Sequence, residues 1–286
     1  MPGRRRRPSL AWLGVLPFFV YITIFLFLPS AQVMIGAFKG EKGGYTFSNL
    51  VDLVTTPNIR HAYRLSIEIS LVTALGGALF GVLLAYAALR EGTPKWIRSA
   101  FTTFSGVAAN FGGVPLAFAF IATLGNLGIV TQFLQNVFGI DIYAHGFTLF
   151  SKVGVELAYL YFQIPLMFLI IAPAIDGLRA EWREASSNLG GSAFQYWRYI
   201  GIPVLLPSLL GAVILLFGNA FAAYATAYGL TSSLNIVPLL IGADLRGNVY
   251  FNPHEGQALA FGMFAILAGM MLLYVPLQRR ASRWAR

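Results

Sequence analysis

Six stretches of this chain are apolar for about the length of a bilayer crossing and carry almost no charge. A hydrocarbon core of ~30 Å takes about 20 helical residues. The backbone must satisfy its own hydrogen bonds there, because no water reaches it. The stretches run over residues 10–38, 63–89, 100–124, 153–175, 204–228 and 258–277. They predict an all-α integral membrane protein with six transmembrane helices. Composition agrees: 57% of residues are hydrophobic and 11% charged, against about 25% charged in soluble domains. No hydrophilic stretch reaches the ~50 residues of a small soluble domain. One membrane domain is therefore expected over 10–278, with a loop at 176–203, between a basic segment at 1–9 and a basic tail at 279–286.

Charge placement orients the bundle. Fourteen of the 20 Lys and Arg residues lie at the two ends and in the loops after the second and fourth spans. They are Arg4–Arg7, Arg90, Lys95, Arg98, Arg179, Arg183, Arg198, Arg279, Arg280, Arg283 and Arg286. The loop from Gly125 to Phe150 has none. Basic residues stay in the cytoplasm, so both ends and the 176–203 loop are placed inside. The formal charge of +9 thus reads as a topology signal. It does not form the basic, aromatic-interleaved face of a nucleic-acid binder, and no nucleic-acid partner is expected. The first stretch is longer than a signal-peptide core and lacks a small-residue cleavage site, so an uncleaved anchor helix is expected. Trp12 and Tyr21 suit membrane interfaces. Without cysteine there is no disulfide, thiolate metal site or cysteine nucleophile.

The 176–203 loop has its own local logic. Glu181 to Ala185 suit a helix, and Gly190-Gly191 supply a left-handed stop. Ser192 with Gln195 three residues on is a capping-box pattern that starts a second helix. Pro203 is expected to close it. Small side chains at Ala185, Ser186 and Ser187 let another backbone approach, and Glu184 offers a charge. The run from Glu184 through Gly190 to Ile200 and Pro203 resembles the cytoplasmic loop motif of the membrane subunits of binding-protein-dependent ABC importers. Ser186 stands where that family has Ala, and Ile202 where it has Leu. Both changes keep a small or an apolar group.

The resemblance implies a type I (MetI-like) importer permease fold with both ends inside, in a bacterial or archaeal cell (inner) membrane. It implies that Glu184, Ala185, Ser186, Gly190, Ile200 and Pro203 form a coupling element docking on a cytoplasmic ABC ATPase dimer. It further implies a second permease subunit, identical or homologous, and an extracytoplasmic solute-binding protein. ATP and Mg would be used by the separate ATPase, with no cofactor or metal in this chain. None of the four lysines (Lys39, Lys42, Lys95, Lys152) follows a glycine, so no phosphate-binding Gly-Lys-Ser/Thr loop exists. His61, His145 and His254 are scattered. A transport subunit is expected, and not an enzyme.

Ionisable groups inside spans are candidates for a solute pathway. Glu68 and Glu156 qualify, with i,i+4 ion pairs to Arg64 and Lys152 as the plainer alternative. Asn110, Gln163, Asn219 and Tyr224 are the deep polar groups, and hydrogen bonding between helices is their plainer role. Prolines (Pro29, Pro115, Pro165, Pro173, Pro207) and glycines (Gly76, Gly77, Gly81, Gly112, Gly113) inside spans mark close packing or bends. Ile129, Val130, Phe133, Leu134, Val137 and Phe138 line one face of a short amphipathic helix at the outer surface. The Asn110–Ile121 run resembles polyamine permease subunits and their iron, thiamine and phosphonate relatives. That likeness points to a polyamine-like organic cation, with sugar import as its closest rival. A secondary transporter or channel would call for inverted repeats, and none is visible.

Overall fold

A computed structural model describes residues 11–281 except 41–43, 91, 145, 232 and 246–252. Arg4–Arg7, Lys42, His145, Arg283 and Arg286 lie outside the described residues, as do the side chains of Trp12 and Arg280. Regular structure among the described residues is helical, apart from one isolated bridge between Lys39 and Tyr45. Six helical stretches are long and apolar enough to cross a membrane.

The first span combines α1 (Ala11–Ile22), a π-helical turn (Thr23–Phe27) and α2 (Leu28–Gly36), with Pro29 in the first turn of α2. It is apolar all round, and none of its spanning window is buried within the subunit. Tyr21 is exposed and packs its ring against Phe25. The span touches its own bundle at its end: a side chain on Gly36 would collide with Gln257. A short outer helix, α3 (Ser48–Thr55), follows. Asn49 ties it back by donating to the Lys39 carbonyl at 2.8 Å.

The centre is built by α4 (Pro57–Leu89) crossing α8 (Lys152–Asp176), with α5 (Lys95–Asn110), α6 (Gly113–Leu124) and α7 (Ile129–Phe138) between them in the chain. Glycines set the approach of α4 to α8. A Cβ on Gly77 would stand 2.7 Å from Gln163 Cβ, and one on Gly81 would stand 2.5 Å from Met167 Cβ. This is the small-xxx-small packing that lets membrane helices gain dispersion contacts without a hydrophobic driving force. For Gly77 and Gly81, close packing is therefore the role. The cytoplasmic loop holds α9 (Ala180–Asn188) and α10 (Ala193–Tyr196), and α11 (Ile202–Phe221) returns to the membrane. Gln163, fully buried, donates from Nε2 to the Leu216 carbonyl at 2.7 Å and so joins α8 to α11. Phe168, Ile171, Leu216, Phe217 and Phe221 fill this core.

Span boundaries differ from expectation where the backbone breaks. The expected third span is two helices, α5 and α6, parted at Phe111-Gly112 with Gly113 at φ +73°, and the apolar stretch long enough to cross runs from Gly113 through α7 to Phe138. The fifth span was expected to run to Tyr228, but α11 stops at Phe221. After Ala222–Tyr224 a short α12 (Ala225–Leu230) begins, then α13 (Val237–Leu245), before α14 (Pro253–Ala281) makes the last crossing. Residues 225–228 are apolar enough to extend a span. The chain there turns onto α6 instead: Thr226 and Ala227 are buried, and Gly229 lies against Ala117 and Val114. The outer amphipathic helix forms as α7, with Ile129, Phe133, Val137 and Phe138 exposed and Thr131 buried against the bundle.

Candidate functional site

The cytoplasmic loop folds as its turn chemistry dictates. At the end of α9, Gly190 takes φ +76°. Gly191 N–H donates to the Ser186 carbonyl at 2.8 Å, and Gly190 N–H to the Ser187 carbonyl at 2.9 Å. This pair of bonds is the Schellman arrangement, which satisfies the last orphan carbonyls of a helix. Ser192 and Gln195 then form both halves of a capping box. Pro203 departs from expectation. It does not close the second helix: residues 193–221 run on as one helical stretch through a π turn at Trp197–Gly201. Ile202 N–H reaches back five residues to the Trp197 carbonyl. The wider turn accommodates the ring and missing N–H of the following proline, which an α-helix interior tolerates poorly.

Ala185, Ser186, Gly190 and Ile200 line one open cleft of about 730 Å³, together with Trp182, Leu189 and Tyr199. Glu184 is exposed on α9, and Pro203 sits at the root of α11. Leu189, Phe194 and Tyr199 are largely exposed (89%, 75% and 73%), so the loop presents an apolar patch to the cytoplasmic side.

Of the intramembrane candidates, Asn110, Asn219 and Tyr224 come together. They line a cavity of about 290 Å³ where the third and fifth spans break, joined by Gly112, Gly113, Phe162 and Thr226. Gly113 N–H donates to Thr226 Oγ1 at 2.8 Å. Asn110 donates to its own helix at the Gly106 carbonyl, 2.8 Å away. Tyr224 stacks on Tyr228 and packs against Gly242. Asn110 and Asn219 are exposed on the subunit surface. Gln163 is sealed in the core, away from the cavity. Glu68 and Glu156 meet elsewhere, on one lysine: Lys152 Nζ lies 2.5 Å from Glu68 Oε1 and 3.7 Å from Glu156 Oε1. The expected ion pair of Glu68 with Arg64 is replaced by this bridge, because the α4–α8 crossing brings Lys152 within reach. Glu156 has its expected i,i+4 partner.

Two features escape sequence reasoning. Thr226 is one of many threonines until the fold sets it over Gly113. Arg98 of α5 is ion-paired with Asp176 at the end of α8, and nothing local links residues so far apart in the chain.

The fold is that of the membrane subunits of ABC importers. The chain superposes on a bacterial ABC transporter involved in the import of alginate with a TM-score of 0.74, at 17% identity and 95% coverage of each chain. A bacterial alginate ABC transporter in complex with an alginate pentasaccharide-bound periplasmic protein gives 0.72 at 19% identity, covering 95% of this chain and 94% of that one. The chain is 25% identical over 276 residues to the probable sulfate transport system permease protein cysT of Nephroselmis olivacea, covering 94% of this chain and 89% of that one. It is 26% identical over 279 residues to a spermidine/putrescine transport system permease protein PotC homolog of Mycoplasma pneumoniae, covering 92% and 89%. No family model matches the chain. The protein is accordingly a multi-pass permease subunit of the ABC-importer type, a transport component and not an enzyme.

Proposed function

We propose that this chain forms one half of a solute pathway and receives mechanical force through its cytoplasmic loop from a separate ABC ATPase dimer, where ATP and Mg are used. The observation that carries the coupling role is the convergence of Ala185, Ser186, Gly190 and Ile200 on one cytoplasmic cleft rimmed by exposed apolar side chains. Small residues and a left-handed glycine allow close approach of another backbone, and Glu184 stands beside them. Exchanging Glu184 for Lys and Gly190 for Trp should abolish ATPase co-purification and uptake while the chain stays inserted and folded. Persistence of both would refute the coupling role.

The pathway role is supported by Asn110 and Asn219, amides exposed at the breaks of two spans. Lipid cannot hydrogen-bond them, so polar groups at such depth face water or protein. A second permease subunit across this face would enclose the water-lined route, and the unburied first span offers it a further contact. An extracytoplasmic binding protein would deliver solute, a reading supported by the bacterial alginate ABC transporter in complex with a pentasaccharide-bound periplasmic protein.

For the solute, a small oxyanion of the sulfate type stands ahead of the polyamine-like cation. Lys152 engages both Glu68 and Glu156, carboxylates that would favour a cation if they faced a cavity, the cavity side chains are uncharged, and a relative is named for sulfate. The cation reading keeps the Asn110–Ile121 run and the spermidine/putrescine relative in its favour. Calorimetry of the cognate receptor against sulfate, spermidine and putrescine decides between them.

A further inference from the structure

A second polar cavity, of about 180 Å³, lies at the cytoplasmic end of the bundle, apart from the coupling cleft. Arg90 enters it from the end of α4, and Arg179 and Arg183 enter from the start of α9. Its one acid is Asp176, already ion-paired with Arg98 outside the lining. Arg90 and Arg179 form no ion pair among the described residues. Arg179 instead lies over the Trp182 ring, 5.8 Å from its centroid. The Trp197 ring stands edge-on to Tyr86 at 5.3 Å and walls the cavity, with Leu89, Ile175 and Leu178 beneath. Arginines from two elements, an aromatic pair and an aliphatic floor at the ends of two spans are what a phosphate group at the lipid–water boundary requires. The first N–H groups of α9 add positive potential on the same side.

We propose that this cavity binds the phosphodiester headgroup of an anionic phospholipid from the inner leaflet. The setting argues for lipid over a soluble phosphate: Leu89, Ile175 and Leu178 line the cavity at the ends of the α4 and α8 spans. A bound headgroup would bridge the end of α4 to the start of α9. The binding claim does not depend on what the coupling loop docks against.

The test is native mass spectrometry of the purified full chain exchanged into phosphatidylglycerol or phosphatidylcholine. The wild type should retain phosphatidylglycerol selectively. The double variant Arg90→Gln, Arg179→Gln should lose roughly twenty-five-fold in retention, about fivefold for each arginine near a charged headgroup. Arg279→Gln, on the cytoplasmic tail, should lose little. Equal retention of the two lipids, or an equal loss in Arg279→Gln, would overturn the site in favour of diffuse charge attraction. Displacement of the lipid by millimolar inorganic phosphate would overturn the lipid assignment. Circular dichroism of the double variant should match the wild type; if it does not, Arg90→Lys with Arg179→Lys must restore selective retention or the proposal fails.

Discussion

Gly113 N–H is held by Thr226 Oγ1 at 2.8 Å, so the broken third span is latched to the broken fifth. The two residues are 113 positions apart, and each begins a half-helix bordering the amide-lined cavity. Thr226→Val keeps the shape and removes the acceptor. The expected cost is about 1–2 kcal/mol, since a part-buried N–H loses its partner. Thr226→Ser should restore the wild-type unfolding midpoint in nanodiscs. A Val variant as stable as the wild type would show that the latch contributes nothing.

Gly81 offers a sharper steric test. Gly81→Val would force a side chain against Met167 and the Ile164 carbonyl. A cost of about 3 kcal/mol or a failure to fold is expected, because overpacking against backbone has little room to relax. Gly106→Ala, with nothing within 4 Å of its added Cβ, should be neutral or slightly stabilising. Thermal unfolding of the two variants side by side checks the contrast.

Gly190 at φ +76° meets no neighbour that an added Cβ would strike. Gly190→Ala should therefore cost only the backbone strain of a left-handed alanine, about 1 kcal/mol. If the cleft receives an ATPase, this variant should keep its fold and lose uptake more than stability. Uptake falling only in proportion to folded protein would argue against a docking role.

Asp244, in α13 outside the six spans, is buried and lies near Glu255, and its pKa is raised from 3.8 to about 6. Burial is the larger cause and the Glu255 carboxylate the smaller. The folded state then holds a proton that the unfolded state releases at lower pH. The protonated side chain favours folding below about pH 4, and that contribution is lost as pH rises through about 6. Asp244→Asn should remove this slope. It should gain about 1 kcal/mol over wild type at pH 7, after discounting for partial water access, and gain nothing at pH 4. Unfolding midpoints between pH 4 and 8 read the difference directly.

The local features were legible in the sequence because local chemistry fixes them. Ser192 with Gln195 gave the capping box and Gly190 the left-handed stop, since both depend on residues within one turn. Ile129 to Phe138 gave α7 by periodicity. Pro203 misled, because a π turn two to six residues upstream absorbed a proline that would otherwise end a helix. Tyr228 misled as the end of the fifth span, because the apolar run continues past Phe221 while the backbone turns there and Thr226, Ala227 and Leu230 bury beside α6.

The sequence by itself determined how many times the chain crosses the bilayer, which loops carry positive charge, and how the cytoplasmic loop turns. Each of these is a sum over a short window: about 20 residues of transfer free energy, or one turn of capping bonds. Only the tertiary structure decided that Glu68 and Glu156 share Lys152, that Gln163 serves the core and not the cavity, and that Asn110, Asn219 and Tyr224 meet at paired helix breaks. Those outcomes depend on how each helix is rotated about its axis and how closely it approaches its neighbours. Contacts such as Gly77 on Gln163 and Gly81 on Met167 set both, and they join residues that no local window contains.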